Sequence, residues 1–136
     1  MNPYTLLLLA QLLAQRCISV PEEGFENRFG LRPEDGPMEF TRVELDDVDG
    51  DRQPDFLLVA RQTCGAHNCK GEVYGTNSGC LRRLGRIYGA SFRVLSATRS
   101  GIRDIEGTWL MGDAKTDISL FYFDGTQYAV AGPREP

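Results

Sequence analysis

Residues 41–60 read TRVELDDVDGDRQPDFLLVA. Two strands of different kind flank a turn dense in aspartate. At the front, Thr41, Val43 and Leu45 alternate with Arg42 and Glu44, the period-2 pattern of a strand with one face buried. At the back, Phe56 to Ala60 is apolar without a break. A short apolar run bounded by turn signals describes a central strand covered on both faces. Joined by a short loop, the two strands make an antiparallel hairpin.

The same grammar continues toward the C-terminus. Glu72 to Gly75 and Cys80 to Tyr88 flank the turn sequence Thr76-Asn77-Ser78-Gly79. Gly85 and Gly89 read as bulges or strand ends. Ser91 to Thr98 is a further strand, followed by a turn at Ser100-Gly101. Ile105, Gly107, Trp109 and Met111 share a face of the next, and Gly112-Asp113 turns the chain. Asp117 to Phe123 is a strand, Asp124-Gly125 is a two-residue type I′ hairpin signal, and Gln127 to Ala131 closes the sheet. About eight strands in succession, with no helical crossover pattern, predict an all-β fold over residues 38–132. The architecture is mainly an antiparallel meander, curled into a small barrel or folded as a two-layer sandwich. Residues 15–37 read as an irregular N-terminal segment, broken by Pro21, Pro33 and Pro37, with a short helical turn over Glu22 to Phe29. Phe25, Phe29 and Leu31 are its anchors on the domain surface.

A chain of 136 residues is long enough to bury one core. Its net charge of -4 gives no electrostatic reason to expect nucleic acid. Residues 1–14 hold an apolar run, Leu6 to Ala14 with one break at Gln11, too short to span a bilayer. The run predicts a signal peptide cleaved after Ala14, and a mature form without a transmembrane segment. Met1 to Tyr4 carries no Lys or Arg, so the alternative is an amphipathic helix packed on the domain. Gln15 and Arg16 stand where a lipoprotein signal needs small residues before Cys17. The expected location is periplasmic or secreted.

Cysteine usage agrees. Cys17, Cys64, Cys69 and Cys80 are an even set, as disulfides in a small exported chain require. The expected pairs are Cys64 with Cys69, closing a local loop, and Cys17 with Cys80. A zinc site from Cys64, His67, Cys69 and Cys80 is the competing idea, and its spacing suits a tetrahedral knuckle poorly.

The aspartates carry the chemistry. Asp47, Asp49, Asp51 and Asp55 occupy positions 1, 3, 5 and 9 of the turn. Calcium takes six to eight oxygens, and an acid at every second residue of a tight loop aims several carboxylates at one point. The spacing resembles the loop of FG-GAP and integrin-type repeats. That resemblance implies side-chain oxygens from Asp47, Asp49, Asp51 and Asp55 and the main-chain carbonyl of Gln53 as calcium ligands. It also resembles the first half of an EF-hand loop, but Leu58 stands at the twelfth position where that motif needs Glu. The sixth position is Arg52 instead of Gly, a residue that adopts φ > 0 only at a cost. Its guanidinium is also able to fold over the carboxylates and neutralise them without metal. A polar hairpin loop that binds nothing and a catalytic carboxylate cluster are the other two readings.

A wider pattern includes Cys64-Gly65 to Cys69, Gly79 to Gly85, Ser100 to Ile105 and Phe123 to Tyr128. In that order, residues 40–130 resemble small exported bacterial β-domain proteins of uncharacterised function. The resemblance implies export and a compact β fold. Catalytic motifs are scarce: His67 is the only histidine, and no nucleophile elbow or phosphate-binding loop occurs. The sequence thus points to an exported binding or structural module without catalytic activity, facing an envelope or extracellular partner. The alternative is a small envelope hydrolase using the four aspartates, which needs a deep pocket beside them and a carboxylate that titrates abnormally.

Overall fold

The structure is a computed structural model and describes residues 39–65, 67–77 and 80–131. Eight strands follow in order: β1 Phe40–Leu45, β2 Asp55–Gly65, β3 Asn68–Asn77, β4 Cys80–Gly89, β5 Ser91–Arg99, β6 Ile102–Gly112, β7 Lys115–Phe123 and β8 Tyr128–Ala131. They form two four-stranded antiparallel meanders, β1-β2-β3-β4 and β5-β6-β7-β8. The two-layer form of the expected all-β fold is the one observed. The signal peptide, the irregular segment 15–37 and its helical turn lie outside the described residues.

The core forms because each sheet turns one set of alternate residues toward the other. Leu57, Val59, Val73, Leu84 and Ile87 from the first sheet meet Ile105, Phe121, Phe123 and Tyr128 from the second. Tyr88 anchors the seam, with edge-to-face contacts to Trp109 and Phe121 at 5.5 and 5.0 Å. As its unbroken apolar run requires, β2 is buried on both faces. Phe56, Leu58 and Ala60 lie on the side away from the second sheet, packed with Tyr74.

β1 departs from its pattern. Leu45 is buried, but Val43 on the same face is 38 % exposed. β1 and β5 are both edge strands, and the seam between them stays open. A cavity of about 470 Å³ there is lined by Thr41, Val43, Leu45 and Phe92.

β2 and β3 run further than their apolar cores, out to a hairpin tip closed by the Cys64–Cys69 disulfide. Thr63 Oγ1 supports the tip, donating to the Ala60 carbonyl at 2.6 Å and accepting from Lys70 N–H at 3.0 Å. The expected two-residue turn at Asp124-Gly125 is longer. Asp124 Oδ1 accepts from the N–H groups of Thr126 and Gln127, and Asp124 N–H closes on the Gln127 carbonyl at 3.0 Å. A type I′ turn needs φ > 0 at both central residues, and only Gly125 has it. Asp104 faces Arg99 at 3.8 Å, while Arg103 N–H crosses to the Val48 carbonyl at 2.8 Å.

Gly85 shows why the two sheets close on the β4 side. Arg83 pairs with Tyr74 and Gly85 with Val73, leaving Leu84 as the extra residue of a bulge. Gly85 has φ +130, and a Cβ there would meet Tyr128 N at 2.6 Å. Gly101 has φ +79 but open space around it. Gly85→Ala should therefore cost backbone strain plus collision, about 3 kcal/mol or more. Gly101→Ala should cost strain alone, about 1 kcal/mol. Urea unfolding of the two variants checks the difference; equal losses would show that the sheets do not meet at Gly85.

Candidate metal centre

The loop from Asp46 to Pro54 is folded by its own aspartates. Asp47 Oδ1 accepts from Gly50 N–H at 2.8 Å and Asp47 Oδ2 from Arg52 N–H at 2.8 Å. Asp49 Oδ1 accepts from Asp51 N–H at 3.3 Å, and Asp51 Oδ1 from Gln53 N–H at 2.9 Å. Short polar side chains bonding N–H groups two to five residues on replace a backbone ladder with a tight coil. Arg52 sits at φ +66, so the αL conformation expected at the sixth position is present without a glycine. Its side chain is exposed, and among the described residues it makes no ion pair with the aspartates. The guanidinium clamp is therefore not what forms.

Asp55 is different in kind. It is fully buried, accepting from Val48 N–H at 2.7 Å on one oxygen and from Thr76 N–H at 3.0 Å on the other. Val48 in turn is fully buried in the core, although aspartates flank it closely. Periodicity could have flagged Val48 as the loop's inward anchor; nothing in the sequence flags Thr76. Gly75 supplies room, since a Cβ there would lie 2.7 Å from Asp49 Oδ2.

The four carboxylates converge. Asp47, Asp49, Asp51 and Asp55 each offer an oxygen, and these atoms lie within 4.8 Å of one another. This arrangement can hold a metal ion. Gln53 is exposed and contributes its N–H to the loop. The other expected ligand set is not available: Cys64, Cys69 and Cys80 are all in disulfides, which removes the thiolates that zinc requires. Cys17 lies outside the described residues.

So many acids in one place perturb each other. Burial pushes the Asp49 carboxyl up to about 7, helped by its side-chain contact with Asp51, the charge of Asp55 and its contact with Asp47. Burial also raises Asp55, against the N–H bonds from Val48 and Thr76. For Asp47 the same burial is outweighed by N–H bonds from Arg52, Gly50 and Asp51 and by Asp49, and it is lowered. The field reaches the core: burial first, then Asp104, Asp55 and Asp49, raises the Tyr128 hydroxyl, which donates to the Arg103 carbonyl at 2.8 Å.

No known protein family matches the chain, and neither does any curated protein or any solved structure.

Two expectations separate the structural role of the cluster from its charge. Asp55→Ala leaves the buried Val48 N–H and the part-buried Thr76 N–H unpaired and should cost about 2–4 kcal/mol without any metal present. Asp51→Ala opens one exposed turn bond and should cost under about 1 kcal/mol. Chemical denaturation in chelator measures both, and equal costs would contradict the anchoring role of Asp55. The second concerns pH. An acid raised in the folded state binds more protons folded than unfolded, so stability falls as pH rises from 3.8 to about 7. Metal-free protein should accordingly melt higher at pH 5 than at pH 8, with the lowered Asp47 acting only below that window. A melting point that rises from pH 5 to pH 8 in chelator would be inconsistent with a desolvated Asp49.

Proposed function

We propose that this protein is an exported, disulfide-stapled binding or structural module. Its β1–β2 loop holds a calcium ion in the manner of FG-GAP-type loops, and its partner is an envelope or extracellular protein. The observation that carries the reading is the convergence of four carboxylate oxygens within 4.8 Å on a loop whose own N–H groups hold Asp47 and Asp51 in place. Like charges held this close repel one another, and a divalent cation offsets that repulsion. Calcium suits an all-oxygen, irregular ligand set better than magnesium, which demands near-octahedral geometry. A disulfide at the β2–β3 tip fits an oxidising compartment. Among the described residues no helix is long and apolar enough to cross a membrane.

One observation favours the hydrolase alternative: Asp49 is raised to about 7, where a general acid would operate. Three cavities lined by described residues are bordered by none of Asp47, Asp49, Asp51 and Asp55. Burial and crowding of acids account for Asp49 without a reaction.

The test is thermal melting in excess calcium and in chelator, paired with titration calorimetry. Calcium at 100 times its dissociation constant should add roughly 2.7 kcal/mol of stability. Asp49→Ala should abolish the response. Identical melting points in calcium and chelator, with no heat of binding, would leave the polar-loop reading in its place.

A further inference from the structure

The face of the first sheet turned away from the second is apolar and buried. Phe56 is 3 % exposed, Leu58 8 %, and Ala60 and Tyr74 0 %. Partly buried Phe40 and Leu81 pack against them, and among the described residues every member of the cluster belongs to the first sheet. Residues on one face of one sheet cannot cover their own tops; a face loses its solvent only beneath another layer. The second sheet lies against the opposite face, packed on Leu57, Val59 and Val73. On the same face Glu72, paired with Leu58, is fully buried, with Tyr74 Oη donating to it at 3.0 Å and Arg83 Nε at 2.8 Å.

We propose that this outer face is the docking surface for residues 18–38 of the same chain, held across it by a disulfide between Cys17 and Cys80. The cysteine argument is one of exhaustion. Cys64 and Cys69 are bonded to each other, and Cys80 is in a disulfide. The sequence has four cysteines, so within one chain Cys80 has only Cys17 to bond.

The topology then sets the path. Cys80 opens β4, at one edge of the first sheet, and Phe40 opens β1, at the other edge. Phe40 pairs with Ala60, Ala60 with Lys70 and Lys70 with Tyr88, so Phe40 is level with the far end of β4. The two anchors therefore occupy diagonally opposite corners. They are ~30 Å apart, given ~14 Å for three strand spacings and ~26 Å along β4. Residues 18–38 reach ~70 Å fully extended, enough to cross with a turn to spare. The apolar cluster follows the same diagonal: Leu81 by the Cys80 corner, then Tyr74, Phe56, Leu58 and Ala60, then Phe40. Between the anchors the sequence offers Phe25, Phe29 and Leu31 as the matching apolar side chains.

The test uses the oxidised full-length protein. Non-reducing peptide mapping should recover Cys17 joined to Cys80. Hydroxyl-radical footprinting should label Phe25, Phe29 and Leu31 on the order of tenfold more slowly than in the urea-unfolded chain. Phe29→Asp should raise labelling of Phe56 and Tyr74 on the outer face and leave Phe121 in the inner core unchanged. Labelling of Phe25, Phe29 and Leu31 at the unfolded rate, while Phe56 and Tyr74 stay protected, would overturn the proposal. So would a dimer on size exclusion with that labelling pattern, because a second copy would then be the cover. Cys17 recovered with any other cysteine would overturn it as well.

Discussion

The buried carboxylate of Asp55 is the interaction on which the rest depends. It takes Val48 N–H on one side and Thr76 N–H on the other, which fixes the Asp-rich loop to the end of β3. Held in that way, Val48 drops its side chain into the core and turns its carbonyl to Arg103 N–H in β6. Arg103 then offers its own carbonyl to Tyr128 Oη in β8. One carboxylate thus starts a relay from the loop at the end of the first sheet to β6 and β8 of the second. A buried charge is tolerated there because each oxygen has a backbone donor, the condition under which desolvation is offset.

The same residue explains why the loop is both rigid and acidic. Asp55 cannot retreat from the cluster, since its oxygens are committed to the fold. Asp49 lies against Gly75 in space that a larger residue would take, and burial raises its affinity for a proton. Asp47 is stabilised in its charged form by N–H groups of the loop it organises. The loop therefore presents pre-arranged oxygens at an electrostatic cost that a bound cation or a proton offsets. This is the physical sense in which a metal reading and a pH dependence are two views of one arrangement.

Much of this was legible in the sequence. All eight strands were, because alternation, apolar runs and Gly-rich turns mark them locally. The Cys64–Cys69 bond and the convergence of the four aspartates were legible from spacing alone. What escaped depended on contacts between distant residues. Thr76 N–H as an Asp55 partner is a backbone group with no sequence signature. The exposure of Val43 follows from β1 and β5 being open edges, which alternation within β1 cannot report. The longer turn at Asp124 was hidden because its side chain, by capping Thr126 and Gln127, outcompetes the type I′ geometry that Asp-Gly usually signals. At Arg52 the sequence identified the strain but not its resolution: the backbone accepts φ +66 and the side chain goes to solvent.

The site and the disulfides bear on one another through environment. Extracellular calcium modules work with dissociation constants of about 10⁻⁴ to 10⁻³ M, set by ligand charge and site rigidity. In this loop the Asp55 oxygens are shared with two N–H groups, and those of Asp47 with two more, which weakens each as a metal ligand. On the proposed calcium reading, a loop so constituted fills only where the ion is plentiful. Disulfides persist only where the surroundings are oxidising. The proposed calcium site and the proposed export agree on an environment outside the cytosol, and they rest on independent chemistry at opposite ends of β2: carboxylates at Asp55, sulfurs at Cys64. The two ends also fail differently. On the proposed calcium reading, loss of the ion restores repulsion at the loop while the Asp55 bonds persist. Reduction of Cys64–Cys69 frees only a hairpin tip, a short closure worth about 2 kcal/mol. The core between them, with β2 buried on both sides, is the part that neither change removes.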